Sequence, residues 1–375
     1  MIRRIGVLTG GGDCPGLNPA IKWVVKTALD HSGVDKRGYK FEVLGLLEGW
    51  RSLVRYSGEP IDAFGKNDSL VCRLDEGIVH SWDRQGGTNL GSSRTNPFNK
   101  KQDTSKLVLE NLKALKLDAL VAIGGEDTQS VAARLWTDHQ IPVVGIPKTI
   151  DKDLIGTDYT LGFETAVQII TAEVDRVRTT AGSHSRTFIV EVMGRHAGHL
   201  ALQGGIAAGA DVILIPEVPF KLEKIAEIIA ARRKRGHRYS IIVVAEGAHV
   251  EGEAPVTSDA VLDTGFGHVQ LGGIGEYMEK RLSDTMPGYE FRSVVLSHIQ
   301  RGGNPAAYDR RMGRLFGVAA VNLIEQGRFG RMVSFRDGRV GHVSIPYQRH
   351  VYATVDVDQT YDLDRYEAKT SFLRG

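Results

Sequence analysis

The chain is poor in cysteine. Cys14 and Cys72 are the only two among 375 residues, and neither belongs to a CxxC or to a cysteine–histidine metal spacing. That excludes a disulfide framework and a thiolate zinc site, and makes a reducing compartment the simplest expectation. An excess of one charge is also missing, since 47 Lys and Arg face 45 Asp and Glu, a formal net charge of +2. Such a balance gives no ground for a nucleic-acid or membrane-surface partner. No apolar run approaches the length that spans a bilayer, and the opening MIRRIGVLTGGG enters a strand pattern at once, without a signal-peptide core. A cytoplasmic protein is expected. What is present is ordinary for a soluble globular chain, 42% hydrophobic and 25% charged, at a length that suggests two lobes. The 44 glycines fall largely in pairs at the ends of strand-like runs, where a backbone can approach a ligand closely.

The richest stretch is 121–153, VAIGGEDTQSVAARLWTDHQIPVVGIPKTIDKD. It reads as strand, glycine turn at Gly124-Gly125, helix, strand and charged loop. A βαβ unit brings both turns to the carboxyl ends of parallel strands, where open α/β sheets bind ligands. One turn carries Glu126 and Asp127; the other carries Lys148, Asp151, Lys152 and Asp153. Carboxylates beside a lysine and backbone N–H groups suit Mg²⁺, phosphate and a proton acceptor. A solvated loop with salt bridges is the plain alternative for this stretch alone.

Elsewhere, IGVLT (5–9) leads through GGGDCPGLN into a helix with Ile21, Val24, Val25, Ala28 and Leu29 on one face. Asn18 suits the cap and Pro19 the first helical position. The turn is neither a P-loop nor GxGxxG, so by itself it signals phosphate only weakly. Residues 60–105 look irregular and polar, with Arg94 just past QGGTNLGSS. Three later strand patterns end in Arg195, Glu246 and the pair His298/Arg301. Each alone reads as a surface charge. Together they suggest a convergent site for a phosphorylated sugar, with cations for the phosphate and a carboxylate for hydroxyls. His196-x-x-His199 has metal-like spacing but reads better as a helix start. A hairpin is expected at Asp337-Gly338, and the acidic, aromatic tail is expected to pack on the second lobe. Alternating strands and helices predict an α/β protein with two lobes of mainly parallel sheet flanked by helices.

GVLTGGGDCPGLN, IGGEDT, PKTIDKDLIGTDYTLGFETA, VEVMGRHAGHLAL, IPEV, AEGA and LSHIQRGGNPAAYDR resemble, in order, the motifs of the 6-phosphofructokinases. The resemblance runs from about residue 3 to 330 and is weakest over the tail. It implies the phosphofructokinase fold, with a phosphoryl-donor lobe of 1–161 plus about 299–349 and a sugar-phosphate lobe of 162–298 plus about 350–375. It implies Gly12 and Arg94 as donor contacts, Glu126 as the Mg²⁺ ligand, and Asp151 as the base for the sugar 1-hydroxyl, with Asp153 supporting it. Thr149, Met193, Gly194, Arg195 and Glu246 would hold the sugar, and Arg195 would also stabilise the transferring group. Arg186 and Arg292 would cross a subunit interface to the 6-phosphate beside His298 and Arg301, so a homodimer or homotetramer is implied.

Two departures from the ATP-dependent pattern bear on the donor. Asp127 and Lys148 stand where ATP enzymes typically or often have glycine. A carboxylate at the first position repels the α-phosphate of ATP, and a lysine at the second favours a small, highly charged donor. The pair resembles the pyrophosphate-dependent, actinobacterial-type branch, which implies reversible phosphorylation of fructose 6-phosphate in glycolysis or gluconeogenesis. Where allosteric bacterial enzymes hold a nucleotide effector with arginines, this chain has Lys22, Lys26 and Glu76, so little nucleotide or phosphoenolpyruvate control is expected. The rival readings are an ATP-dependent phosphofructokinase, an NAD-kinase-like enzyme, against which MGR and HIQRGG argue, and a non-catalytic sugar-phosphate sensor.

Overall fold

The structure, a computed structural model, describes residues 2–31, 40–59, 61–65, 69–257, 271–347 and 350–371. Its larger sheet runs Arg339–Ser344, Arg331–Arg336, Val143–Pro147, Ala119–Gly124, Ile2–Gly10, Lys40–Leu46, Val71–Leu74 and Asp62–Ala63. The central strands pair in parallel, and antiparallel pairing enters only toward the two edges. The smaller sheet, Val212–Leu214, Ser240–Ala245, Thr187–Val192 and Phe291–Val295, is parallel throughout. Parallel sheets covered on both faces need apolar side chains on both. Accordingly Ala119–Gly124, Thr187–Val192 and Ser240–Ala245 are buried at every position.

The helix after the first strand runs from Leu17 to Asp30 and buries Ile21, Val24, Val25 and Ala28, the face its periodicity predicts. Its start differs from the expectation. The cap is Gly16 at φ 115°, a left-handed conformation that favours glycine, and Asn18 lies inside the first turn. The Asn18 amide instead donates to the carbonyls of Gln85 (3.3 Å) and Gly86 (3.0 Å), and its oxygen accepts from the Asn89 N–H (2.8 Å). A long-range use of the side chain thus replaces the local one. It ties the glycine turn to the 85–95 segment, where Thr9 Oγ1 donates to the Gly91 carbonyl (2.7 Å) and the Gly11 N–H to that of Ser93 (3.1 Å).

The hairpin forms as expected, Arg331–Arg336 against Arg339–Ser344, with Asp337 at φ 50° and Gly338 at φ 73°. The tail packs on the smaller sheet: Tyr361 Oη donates to the Ile213 carbonyl (2.5 Å), and the Ile213 N–H donates to that of Tyr366 (2.6 Å). Residues 372–375 of the tail lie outside the described residues. No helix among the described residues is long and apolar enough to cross a membrane.

Candidate active site

A cavity of about 310 Å³ opens where the carboxyl ends of strands from both sheets face one another. Gly12, Arg94, Glu126, Asp127 and Lys148 line it from the side of the larger sheet. Met193, Arg195, Glu246, His298 and Arg301 line it from the other side, and Thr149, Asp151 and Asp153 lie between the two sets. Gly194 does not line it; at φ 130° it turns the chain after Met193, and its carbonyl accepts from the Gly247 N–H (3.2 Å). Arg186 and Arg292 also lie away from it. Arg186 pairs with Glu290, and Arg292, on the edge strand Phe291–Val295, approaches Glu279 at 3.8 Å.

The first wall depends on close approach. A Cβ on Gly124 would sit 2.4 Å from the Thr128 Cβ, so only glycine lets the helix Glu126–His139 start so near the strand end. Its amino terminus, with Glu126 and Asp127 in the first turn, therefore opens on the cavity, where the positive end of a helix dipole favours anions. Buried Gln129 braces the turn by donating to the carbonyls of Ala122 (3.2 Å), Gly124 (3.2 Å) and Ile146 (3.0 Å). Lys148 is 3% exposed and donates from Nζ to the Gly12 carbonyl, and burial lowers its pKa. A Cβ on Gly12 would lie 2.6 Å from Arg301 Nη1, which crosses beneath the turn to the Asp13 carbonyl (3.2 Å).

At the centre stands Asp151. Burial raises its pKa, opposed by the charges of Arg301, Arg195 and Lys148, and its Oδ1 has no hydrogen-bond partner in the protein. Arg195 Nε is likewise buried without a partner. Burial and then the Asp151 charge push Asp153 up to about 7, and the same two causes in the same order raise Glu246 to about 7. Carboxylates crowded in a partly dry site resist ionising together. On the far wall, buried Gln300 accepts from the Met193 N–H (3.2 Å) and donates to the Ser297 carbonyl (3.0 Å), joining the Met193 loop to the His298–Arg301 turn.

Several of these supports were given no role of their own from the sequence, although Gln300 and Asp309 lie within LSHIQRGGNPAAYDR. Gln129, Gln300 and Trp50, a buried cavity-lining indole, read there as ordinary helix or loop residues. Asp309 reads as a helix-start acid. In the structure it is fully buried and accepts from Tyr159 Oη (2.6 Å), from the N–H groups of Gly162 (2.6 Å) and Thr165 (2.9 Å), and from Thr165 Oγ1 (2.6 Å). It thereby caps the helix Phe163–His184, which follows the Asp151 loop. Tyr352, from the tail, also lines the cavity and stacks on His196, with ring centroids 4.3 Å apart. His199 opens the helix His199–Ala207, the role its spacing suggests.

Residues 4–324 match the family model described as Phosphofructokinase. The chain is 45% identical over 370 residues to a pyrophosphate--fructose 6-phosphate 1-phosphotransferase of Amycolatopsis methanolica, covering 99% of each. It is 42% identical to ATP-dependent 6-phosphofructokinase 2 of Clostridium perfringens, over 92% of this chain and 91% of that one. Its fold is similar to that of a pyrophosphate-dependent phosphofructokinase from Nitrosospira multiformis (TM-score 0.80, 21% identity, 98% of this chain and 89% of that one). With its motifs in order, its two facing sheets and a match across most of its length, the chain belongs to the phosphofructokinase family.

Proposed function

We propose that this chain transfers a phosphoryl group from pyrophosphate to the 1-hydroxyl of fructose 6-phosphate, giving fructose 1,6-bisphosphate and phosphate, and that it works in both directions. Relatives named for pyrophosphate are 44–46% identical and those named for ATP 41–42%, which supports pyrophosphate as donor beside the residues themselves. The observation that carries the donor is the placement of Asp127 and Lys148. Asp127 stands in the first helical turn at the cavity, and the buried Lys148 ammonium lies under the glycine turn. A fixed cation there suits a compact polyanion, and the carboxylate disfavours an additional phosphate and its nucleoside.

Asp151 takes the proton from the 1-hydroxyl, and an oxygen lone pair forms the new bond to phosphorus. The bridging P–O bond of pyrophosphate breaks, and its electron pair leaves with phosphate. In reverse, Asp151 returns the proton. Arg195 and Arg301 offset the charge that gathers around the transferring group, and Arg94, Gly12, Lys148 and the helix amino terminus hold the donor. Such chemistry depends on positioning and charge neutralisation more than on covalent catalysis. Thr149, Met193, Gly194, Arg195 and Glu246 hold the sugar. The larger sheet carries the donor and the smaller the sugar phosphate, along the lobe boundaries expected above.

Among the described residues, no three His, Cys, Asp or Glu side chains form a metal site by themselves. Carboxylates facing a polyanion site fit Mg²⁺, which Glu126 would hold, with Asp127 and Asp153 nearby. Bound there, Mg²⁺ would neutralise charge on the phosphates. A homodimer or homotetramer completes the sugar site, Arg186 and Arg292 of a second copy joining His298 and Arg301 at the 6-phosphate. Supporting this, the edge strand Phe291–Val295 leaves Val295 42% exposed, and Ile299 of the next turn is 58% exposed. The absence of nucleotide control is supported by Lys22 bonding to Asp83 (2.9 Å) and Lys26 to Glu76 (2.6 Å), pairs that leave less cation for an effector phosphate.

The test is initial rate with fructose 6-phosphate and Mg²⁺, comparing pyrophosphate and ATP at matched concentrations. Turnover with pyrophosphate and little with ATP is expected. Turnover with ATP alone would overturn the donor. Silence with both, with heat stabilisation by fructose 6-phosphate, would make the chain a sensor.

A further inference from the structure

The family match ends at residue 324, yet the cavity has a wall from beyond it. Residues 350–355 cross from one side of the cavity to the other. The His350 N–H donates to Glu126 Oε1 (2.9 Å), Tyr352 bridges Leu154 in antiparallel fashion, and the Ala353 N–H donates to the Asp153 carbonyl (2.8 Å). On the far side, His199 Nε2 donates to the Ala353 carbonyl (3.0 Å), and Glu217 Oε1 accepts the N–H groups of both Val355 (2.8 Å) and Gly198 (2.9 Å). The segment is therefore held at one end by Glu126 and the Asp153 loop and at the other by His199 and Glu217.

Tyr352 is its one side chain in the cavity lining. One face of its ring stacks nearly parallel on His196, at 14°, which sets the ring plane. Its hydroxyl is 3.3 Å from His350 Nδ1, a contact at the long end of the hydrogen-bond range. Burial and the charges of Glu126, Asp153 and Asp127 raise its pKa to about 12, so near neutrality it stays an O–H donor. A site crowded with carboxylates gains from a neutral donor that can face a polyanion without adding charge.

We propose that Tyr352 is a donor-binding residue supplied by the tail, its hydroxyl donating to an oxygen of pyrophosphate while the His350 N–H holds Glu126 in place. The proposal rests on the pyrophosphate reading above and adds to it a contact from outside the family's matched region. Tyr352→Phe removes the hydroxyl and keeps the stack on His196; Tyr352→Ala removes both. Both variants and the wild type are assayed in the two directions, with binding of Mg²⁺-pyrophosphate followed by calorimetry and Tm recorded for each.

Tyr352→Phe is expected to raise the KM for pyrophosphate, and for phosphate in reverse, about tenfold. Its KM for fructose 6-phosphate and its Tm should stay at wild-type values. A pyrophosphate KM within about twofold of wild type would overturn the proposal while leaving the pyrophosphate reading intact. An equal rise in both KM values would make Tyr352 a packing residue and overturn it as well. Wild-type protein that neither binds nor turns over pyrophosphate would sink the reading itself, and the proposal with it.

Discussion

Replacing Glu246 with glutamine changes the charge of the cavity while nearly keeping its shape. Burial, then the Asp151 charge, raises this carboxyl from an ordinary 4.5 to about 7, against the pull of Arg195. A group that binds its proton more tightly when folded stabilises the fold while protonated. That contribution is full below the unfolded value of 4.5 and is lost as pH rises through the folded value of about 7. At about 1.4 kcal/mol per pH unit, the stability lost is about 3 kcal/mol. With an unfolding entropy of about 2 cal/mol/K per residue over the whole chain, this corresponds to about 4 °C in Tm. Glutamine carries no such dependence. Glu246→Gln should melt about 1 °C above wild type at pH 5 and about 4 °C above it at pH 8. Asp153, raised by the same two causes, keeps some pH dependence in both proteins. Thermal scans of ligand-free protein at one scan rate, from pH 5 to 8, read the difference directly. Parallel curves across that range would refute the assignment of Glu246 as a carboxyl strained by burial. The variant should also bind fructose 6-phosphate more weakly, because a hydroxyl loses its charged acceptor.

Three further outcomes are expected. Asp151→Ser should abolish turnover while calorimetry still detects sugar binding; joint loss of binding and folding would refute the base role. Asp127→Gly with Lys148→Gly should lower kcat/KM for pyrophosphate about a hundredfold, and unchanged pyrophosphate kinetics would remove the case for that pair. Mixing two inactive variants, Asp151→Ser and Arg292→Ala, and reassembling them should restore up to about a quarter of wild-type activity if each sugar site borrows Arg292 from a second copy. No recovery, with subunit exchange shown by mass, would place Arg292 in its own subunit's site or in none.

Much of the fold was legible because it is written locally. Continuous apolar runs gave the buried parallel strands, glycine pairs the turns at their ends, and helical periodicity the buried face of Leu17–Asp30. Charges at the ends of separate strands pointed to one site, because parallel strands bring their carboxyl ends to the same edge. The supports were not legible. Asn18 has the composition of a cap, but its amide is used by the 85–89 segment instead. Asp309 satisfies donors more than 140 positions away, and the His350 N–H reaches Glu126 across 224.

From the sequence alone came the α/β class, the order of the motifs, the acid–lysine pair that bears on the donor, and most of the charged residues that meet in the cavity, though not Trp50 or Tyr352. Strand periodicity, turn chemistry and side-chain charge are properties of a residue and its near neighbours, so they can be read along a chain. Tertiary structure alone decided which polar groups are left without partners, which carboxyls are driven toward neutrality, and that the tail returns to line the cavity. Each of those depends on burial, and burial is created by segments far apart in the chain packing together.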